Sequence, residues 1–381
     1  MLNIDDKGNG GSGSDITLQE IIQQPKLWEE TLGIYKNHKE EVEKFIQSID
    51  TKGKALRVIF TGAGTSEYVG NTVRDYLEDG EEMTFESIGT TDLVSCPKLY
   101  FKEDRPTLLV SFARSGNSPE SLAAVELGEQ LVKDFYNLAI TCAKEGKLAV
   151  NLSKEENSYV LNMPEKSNDK GFAMTSSFTC MLLSAIFVFG KDSLEEKEKA
   201  VEKIIALGNE IIEREQEITK LTDFDFDRIV YLGSGSLYKL TNECRLKILE
   251  LTAGLVVTCN ESSMGFRHGP KSFVNENTLI VSLVSSDPYT RQYDLDMLEE
   301  VHLDGISKKN LSLSQGKIEG EWEKFELEDK GLEDIYLAFP YVMIAQMISL
   351  ITSIRVGNTP DTPSKTGTVN RVVKGVTIHS L

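Results

Sequence analysis

One stretch of the sequence recurs 171 positions later, and this repeat constrains the fold more than any other feature. "RVIFTGAGTSEYVGNTVR" begins at Arg57, and "RIVYLGSGSLYKLTNECR" begins at Arg228. At that constant offset several glycine and polar positions coincide, and the apolar strand positions match as well. The coinciding pairs are Arg57/Arg228, Gly62/Gly233, Gly64/Gly235, Asn71/Asn242 and Arg74/Arg245. Self-similarity on this scale indicates a duplicated domain.

Each copy begins with an apolar strand that runs into glycines and then into a helical pattern. The first copy continues with predicted strands at "PTLLVSFA", "NLAITCA" and "SYVLNMP", and with a helix at "SPESLAAVELGEQLVKDF". The second copy continues with strands at "LVVTCN", "TLIVSLV" and "KNLSLS", and closes with the helix "YLAFPYVMIAQMISLITSI". Strands that alternate with helices predict a parallel sheet covered on both faces. We therefore predict an α/β protein with two similar doubly wound parallel sheets.

Four regions are predicted along the chain. Residues 1–50 form an N-terminal helical extension, in which Pro25 separates a short helix from a long one. Residues 51–205 form the first α/β domain and residues 206–355 the second, and residues 356–381 form an irregular, turn-rich tail. The apolar runs 178–190 and 338–354 are predicted to be buried helices, because the first is too short to span a bilayer and the second carries polar residues.

Composition excludes several classes of function. The formal net charge of −19 and the lack of basic runs argue against a nucleic-acid binder. The five cysteines form no CxxC pair and the four histidines form no ligand cluster with them, so neither a metal nor another cofactor is expected. The first residues contain no apolar signal core, which favours a cytoplasmic protein with reduced thiols.

Two strand-to-helix turns of the first copy carry small hydroxyl residues. Both turns lie at the carboxyl edge of the predicted parallel sheet, where open α/β sheets bind ligands. The helix that begins near Pro119 presents unpaired N–H groups and the positive end of its dipole. These features predict a phosphate-binding cradle. Its candidate residues are Gly64, Thr65 and Ser66 in the first turn, and Arg114, Ser115, Gly116, Asn117 and Ser118 in the second.

Other interpretations of these turns stay open. Ser118 before Pro119 is also an ordinary helix cap. A dinucleotide is disfavoured, because position 67 is Glu where the third glycine of the fingerprint belongs, and because no acidic residue ends a clear second strand. Arg114 either pairs with the phosphate or points to solvent.

The second copy carries the candidate chemistry. Glu243 and Glu250 are seven residues apart on one helix, so they share a face, and Lys247 lies between them. His268 precedes Gly-Pro in "FRHGP", and Lys374 lies in "NRVVKGVTIH" near the end. Taken singly, each has a plainer explanation as a solvated carboxylate, a structural turn histidine or a surface lysine.

Taken together, these motifs resemble the sugar isomerase (SIS) domain family. The resemblance covers residues of about 55 to 381, and it is specific in "ARSGNS", in "GSGS" with "ECRLKILE", in "RHGP" and in the tail. Within the family, the chain resembles the isomerase half of glucosamine-6-phosphate synthase. The resemblance is strongest to the bacterial galactosamine-6-phosphate deaminase/isomerase branch. The fold it implies is a pair of flavodoxin-like domains.

The resemblance also implies roles for particular residues. Glu250 matches the proton-shuttling carboxylate, His268 the ring-opening histidine that reaches the neighbouring subunit, and Lys374 a tail lysine that closes over the sugar. Thr175 and Ser176 are further candidates for binding the sugar phosphate, in "AMTSSFT", which departs from the synthase by having Met174 and Ser176 in place of a segment with Ser and Lys. Homodimers or larger homo-oligomers with shared active sites and no cofactor are implied. The first loop serine of the synthase is Ala113 here, and the spacing from Glu250 to His268 is two residues longer.

The function that the resemblance implies is conversion of galactosamine 6-phosphate to tagatose 6-phosphate and ammonia. The reaction requires ring opening, followed by proton transfer from C2 to C1. The partner is thus a small sugar phosphate, and neither nucleic acid nor membrane is expected. Two alternatives stay open: a ketose/aldose isomerase of a neutral sugar phosphate, and a sugar-phosphate sensor without catalysis. The sequence leaves the accepted hexose epimer undetermined.

Overall fold

The computed structural model describes residues 13–373 and 375–381. Its helices are α1 (Asp15–Ile22), α2 (Gln24–Gln47), α3 (Thr65–Arg74), α4 (Thr90–Ser95), α5 (Pro97–Tyr100), α6 (Pro119–Leu131), α7 (Lys147–Leu152), α8 (Ser176–Phe189), α9 (Leu194–Glu213), α10 (Glu215–Leu221), α11 (Gly235–Leu251), α12 (Pro288–Asp304) and α13 (Asp334–Arg355). Its strands are β1 (Leu56–Thr61), β2 (Met83–Ser87), β3 (Thr107–Ala113), β4 (Phe135–Thr141), β5 (Ser158–Asn162), β6 (Arg228–Gly233), β7 (Val257–Ser262), β8 (Thr278–Leu283), β9 (Lys309–Gln315) and β10 (Glu323–Leu327).

The described residues group into two compact units, each assembled from three separate segments of the chain. The first-sheet unit contains Lys26–Asp169, Ser176–Glu198 and Gly367–Leu381. The second-sheet unit contains the segment up to Pro25, Lys170–Thr175 and Lys199–Thr366. The grouping thus places α1 with the second sheet and the end of the tail with the first sheet, whereas the sequence analysis treated both as separate extensions.

The two sheets have the same winding. The first has the order β2-β1-β3-β4-β5 and the second the order β7-β6-β8-β9-β10, and every strand pair is parallel. The central strands β1, β3 and β8 are buried along their whole length, as expected for strands covered by helices on both faces. The predicted pair of doubly wound parallel sheets is confirmed.

Two strands were not predicted, and both lie at sheet edges. β2 has the sequence "MTFES" and β10 has "EKFEL", and only the central phenylalanine of β2 is buried in that strand. An edge strand is covered by fewer neighbours, so a short polar segment suffices there. Pattern-based prediction therefore lacks the apolar run on which it depends.

The β2 strand also shows that one prediction from the sequence is wrong. An acidic residue does lie at the end of the second strand, since Glu86 is the penultimate residue of β2. Its two carboxylate oxygens accept hydrogen bonds from Nε and Nη2 of the buried Arg57, at 2.7 and 2.6 Å. This bidentate pair lowers the pKa of Glu86, and it engages both carboxylate oxygens in a structural ion pair.

The two apolar runs are buried helices, as predicted. The first forms most of α8, which is buried from Ser176 to Phe187. The second lies in α13, whose length and composition would suit a membrane span, yet every residue from Ile335 to Ser353 is buried inside the second-sheet unit. Pro25 lies in the first turn of α2, directly after the short helix α1, as the sequence indicates.

Candidate active site

The turn between β3 and α6 has a fixed backbone. Gly116 has a φ of +63°, in the left-handed region that favours glycine, and an added Cβ would lie 3.4 Å from the Cβ of Leu148. The side-chain oxygen of Asn117 accepts a hydrogen bond from the backbone N–H of Lys147 at 3.1 Å, at the start of α7. This hydrogen bond fastens the turn that carries Ser115 and Ser118 to the adjacent loop before α7.

Ser118 occupies the N-cap position of α6 but its side chain makes no capping hydrogen bond. Its backbone carbonyl accepts instead, from the N–H groups of Ser121 and Leu122 at 3.1 and 3.4 Å. The capping interpretation of the hydroxyl is therefore wrong. A helix of 13 residues begins here with no side-chain cap, so the positive end of its dipole faces the turn.

The turn between β1 and α3 lies beside it. Gly64 has a φ of +57°, and α3 begins directly after it at the buried Thr65 and Ser66, with no side-chain cap. Thr61 at the end of β1 lies opposite Ser111 of β3, so the two turns leave the sheet side by side. The structure thus brings the two predicted hydroxyl-bearing turns together at the carboxyl edge of the first sheet.

Arg114 is buried, with 7% of its surface exposed, so it does not point to solvent. Its Nη2 donates a hydrogen bond of 2.6 Å to the backbone carbonyl of Arg371. Arg371 was not predicted as a site residue. Its part in the site depends on a contact between residues 257 positions apart, which no local pattern indicates.

Ser176 begins α8, and its hydroxyl is already used. The carboxylate of Asp169, which is fully buried, accepts hydrogen bonds from the backbone N–H and the hydroxyl of both Ser176 and Ser177. Asp169 therefore caps α8 with a negative charge, as a helix N-terminus favours. Thr175 groups with the second-sheet unit, where its carbonyl accepts from Nε2 of Gln346 at 3.5 Å.

In the second-sheet unit, α11 carries two glutamates and a lysine on one face. The side chain of Lys247 is fully buried, and its Nζ lies 3.3 Å from the fully buried Glu243 and 2.7 Å from Glu250. The side chain of Glu250 retains 24% exposure. The predicted shared face of the glutamates is confirmed, and Lys247 is the residue that joins them.

The charge state of this cluster follows from two opposed effects. Burial alone lowers the pKa of Lys247, but the charges of Glu243 and Glu250 more than offset burial, so the pKa of Lys247 is raised above its ordinary value. The ammonium group stays protonated near neutral pH. It supplies a fixed positive charge next to Glu250, a carboxylate that keeps part of its surface exposed.

His268 lies at the end of a short 3-10 turn, Gly265–Arg267, and is exposed. The neighbouring residues hold the turn in place. Arg267 and Lys271 both pair with Glu300 of α12, each at 2.5 Å. His268 therefore projects from an anchored turn to the surface of this chain.

Lys374 lies outside the described residues. Among the residues that the structure does describe, no three His, Cys, Asp or Glu side chains lie close enough to hold a metal ion.

The equivalent edge of the second sheet is closed by carboxylates of the protein itself. Asp294 accepts from the hydroxyls of Ser234 and Ser263 at 2.6 and 2.5 Å, and from the backbone N–H of Ser285 at 2.9 Å. The hydroxyl of Ser285 donates to Asp334 at 2.5 Å. Burial raises the pKa of Asp294, although these hydrogen bonds partly oppose the rise.

Comparisons with known proteins agree with this arrangement. The SIS domain family matches residues 53–189. D-galactosamine-6-phosphate deaminase AgaS of Shewanella sp. (strain ANA-3) is 41% identical over 371 residues, which are 96% of this chain and 92% of that protein. The protein of the same name from Escherichia coli O157:H7 is 41% identical over 375 residues, which are 95% of each chain.

A solved structure extends the similarity to the whole fold. The crystal structure of tagatose-6-phosphate ketose/aldose isomerase from Escherichia coli is 37% identical and superposes with a TM-score of 0.88. The match covers 98% of this chain and 99% of that one. The hydroxyl-bearing turns, the repeated sheets and the similarity over nearly the full length lead to one conclusion: this chain belongs to the SIS domain family.

Proposed function

We propose that the chain is a deaminase/isomerase that converts galactosamine 6-phosphate to tagatose 6-phosphate and ammonia. The observation that carries the proposal is the position of Glu250, a partly exposed carboxylate held 2.7 Å from the buried ammonium group of Lys247. Full-length relatives at 41% identity are named for this deaminase activity, which supports an enzyme of the sugar-phosphate deaminase/isomerase class.

The 6-phosphate would bind at the carboxyl edge of the first sheet. Ser115 and Ser118 would donate hydroxyl hydrogen bonds, and the first turn of α6 would supply its dipole and backbone N–H groups. Thr65 and Ser66 lie at the start of the neighbouring helix α3 and would complete the cradle. Hydroxyl donors and helix N-termini suit a phosphate in a protein of net charge −19, because they need no cluster of basic side chains.

The reaction can be followed atom by atom. His268 would move a proton from the C1 hydroxyl to the ring oxygen, which opens the ring to the aldehyde. Glu250 would remove the proton from C2 while the C1 aldehyde oxygen takes up a proton, which gives an enolamine with a hydroxyl group on C1. Return of the proton from Glu250 to C1, with loss of one proton from the nitrogen, then leaves an imine at C2. Water adds to C2 and ammonia leaves, so that the product is the 2-ketose. Histidine suits the ring-opening step, because an imidazole can both donate and accept a proton.

The exposed position of His268 supports a shared active site. A ring-opening histidine must reach substrate, and this one projects from an anchored turn to the surface of its own chain. We therefore propose a cytoplasmic homo-oligomer, at least a dimer, in which His268 serves the neighbouring subunit and the tail with Lys374 closes over the sugar. The partner is a small sugar phosphate, and no nucleic acid or membrane takes part.

A second candidate function is a ketose/aldose isomerase of a neutral sugar phosphate. It is favoured by the name of the Escherichia coli structure that matches nearly the whole chain, tagatose-6-phosphate ketose/aldose isomerase. The two functions share ring opening and proton transfer. They differ in the group that C2 carries, so the assay of products separates them.

The decisive experiment incubates the protein with galactosamine, glucosamine and tagatose 6-phosphates in parallel and measures ammonia and ketose or aldose phosphate. Ammonia and ketose phosphate from galactosamine 6-phosphate are expected. Isomerisation of tagatose 6-phosphate without any ammonia from the amino sugars would instead establish the second candidate. No product from any of the three sugars would contradict both enzyme functions and leave a sensor.

Substitution of the proposed base tests the mechanism. Glu250→Gln should bind the sugar phosphate with affinity close to wild type but lose about 10²–10⁴-fold in kcat, because the amide cannot accept the C2 proton. Glu299→Gln, which changes an exposed glutamate of α12, is the matched control and should leave kcat unchanged. Turnover by Glu250→Gln at the wild-type rate would exclude Glu250 as the base.

A further inference from the structure

The segment Gly367–Leu381 groups with the first-sheet unit, and Arg371 attaches it to that unit through several hydrogen bonds. Nε of Arg371 donates a hydrogen bond of 2.9 Å to the backbone carbonyl of Asp169, and Nη2 donates to the same carbonyl. Nη2 also donates to the side-chain oxygen of Asn168, at 3.0 Å. One guanidinium group thus binds two acceptors on the loop that precedes α8.

The acceptor loop is itself rigidly fixed. The carboxylate of Asp169 is fully buried and accepts four hydrogen bonds from Ser176 and Ser177 at the first turn of α8. The carboxylate faces the helix while the carbonyl of the same residue faces Arg371. Arg371 is therefore attached to a point that the helix cap already holds in place.

The same residue is held from a second side. Its backbone carbonyl accepts the hydrogen bond of 2.6 Å from Nη2 of Arg114. Arg114 is buried and directly precedes Ser115 in the turn that the proposed function assigns to the phosphate. Arg371 thus joins the cap of α8, through its side chain, to the proposed phosphate turn, through its backbone.

We propose that Arg371 is a positioning residue: it docks the segment Gly367–Leu381 onto the first-sheet unit and, through Arg114, sets the conformation of the β3–α6 turn that receives the phosphate. The kinetic consequences rest on the proposed function, whereas the docking does not. Arg371 has no contact with the reacting atoms in this role. Its effect on the reaction passes through Arg114.

The chemistry of the side chain explains why arginine stands here. A guanidinium group is planar, and its donors diverge at fixed angles, so it can reach the Asp169 carbonyl and the Asn168 amide oxygen together. A lysine carries the same charge on a single nitrogen and satisfies that pair of acceptors less well. Arg371→Lys should therefore recover only part of what Arg371→Ala loses.

The kinetic test compares Arg371→Ala and Arg371→Lys with Asn370→Ala. Asn370 is exposed, and among the described residues its side chain bonds to the carbonyl of Gly367 in the same segment, so it controls for change in the segment itself. Arg371→Ala should lower kcat/KM for galactosamine 6-phosphate by about tenfold or more, with the larger part in KM, because each hydrogen bond from a charged donor is worth about that factor. Wild-type kinetics for Arg371→Ala would overturn the proposal.

A double-mutant cycle tests the route through Arg114. If Arg371 acts through Arg114, the loss in Arg114→Lys/Arg371→Ala should be clearly smaller than the sum of the two single losses on a logarithmic scale. Independent effects would add, and additivity would overturn the proposed route. A fold that was merely less stable would also lower the melting temperature of Arg371→Ala well below that of Asn370→Ala, and this result would likewise count against a positioning role.

A third measurement needs no turnover and separates this proposal from the proposed function. Ligand-free wild type, Asn370→Ala and Arg371→Ala are exposed to thermolysin, which cleaves before residues such as Val369 and Val373, and loss of the segment is followed by intact mass. Faster loss from Arg371→Ala alone is expected, and equal rates would overturn the docking role. If the rates differ while no variant, wild type included, converts any sugar phosphate, the proposed function fails and the docking role stands.

Discussion

At the scale of single residues, Lys247 shows how one buried charge determines the character of its surroundings. Its side chain has no exposure, and neither has that of Glu243, 3.3 Å away. Both charged groups are desolvated, so each needs the opposite charge of the other to offset the cost of burial. Glu250 shares the same ammonium group but keeps part of its surface exposed, and of the two carboxylates it is therefore the one that solvent can reach.

Replacement of Lys247 should destabilise the fold strongly. Lys247→Met keeps the length of the side chain but leaves Glu243 buried without its cation, so we expect a loss of about 3–5 kcal/mol in the free energy of unfolding. Urea denaturation at neutral pH measures this loss. Lys220→Met, at an exposed lysine of α10, is the control and should change stability little. A loss as small as that of the control would contradict the inferred dependence of Glu243 on Lys247.

The same pair predicts a pH dependence. Because the pKa of Lys247 is raised in the folded protein, its contribution to stability is fully present below the unfolded value of about 10.4 and is lost as the pH rises through the folded value. The difference in unfolding free energy between wild type and Lys247→Met should therefore stay constant from pH 7 to about pH 10 and shrink at higher pH. A difference that grew above pH 10 would have the wrong sign.

Residue types and their spacing predicted part of the candidate site, but they did not predict the residues that support it from a distance. Glu243, Lys247 and Glu250 follow from helical spacing alone, and the serines of the β3–α6 turn follow from their position after a strand. Asp169 and Arg371 gave no such signal. Asp169 acts on a helix that begins seven residues later, and Arg371 acts on a loop 202 positions away. Contacts of this kind exist only once the chain has folded.

At the scale of elements, α8 illustrates a helix whose start is fixed by a residue outside it. Its sequence "SSFTCMLLSAIFVF" is nearly all apolar and buried, so burial rather than helix propensity dominates its stability. The carboxylate of Asp169 satisfies the first N–H groups, which would otherwise lack partners in a buried setting. The helix was predicted from its apolar run, and its cap was not.

Removal of this cap should be costly. Asp169→Asn leaves one carbonyl oxygen where two carboxylate oxygens accept four hydrogen bonds, and it removes the charge that complements the helix dipole. We expect a loss of about 1–2 kcal/mol in the free energy of unfolding, measured by urea denaturation. Asp287→Asn is the matched control, because Asp287 is an exposed cap of α12 that accepts from Thr290, and its loss should be smaller. An equal loss from the two caps would contradict the importance of burial.

At the scale of the whole molecule, the duplication predicted from the repeat is confirmed in the winding of both sheets. The repeat did not indicate that the two copies have diverged at their functional edge. In the first sheet, Ser118 makes no capping bond, whereas at the carboxyl edge of the second sheet the hydroxyls of Ser234, Ser263 and Ser285 bond to Asp294 and Asp334. Asp294 lies in α12, the helix after the β8–α12 turn, and Asp334 begins α13, 49 positions from Ser285. Neither aspartate lies within the repeated stretch that begins at Arg228, so that stretch alone did not reveal them.

This difference predicts one sugar phosphate per chain. The second edge already holds two carboxylates, and a phosphate there would meet like charges at short distance. Isothermal titration of the inactive Glu250→Gln variant with galactosamine 6-phosphate should therefore give a stoichiometry close to one per chain. The control is Ser118→Ala in the same background, which should weaken that single site. A stoichiometry of two would contradict the closure of the second edge.

The grouping of the chain into interleaved segments has a consequence for synthesis of the protein. Gly367–Leu381 belongs to the same unit as Lys26–Asp169, yet the ribosome reaches this segment only after the whole of Lys199–Thr366 has been made. The first sheet can form early on the nascent chain. The hydrogen bond from Arg114 to the carbonyl of Arg371 can form only after the second sheet has been translated. The β3–α6 turn therefore stays incomplete during synthesis, because Arg114 gains this hydrogen bond only when the segment with Arg371 has emerged.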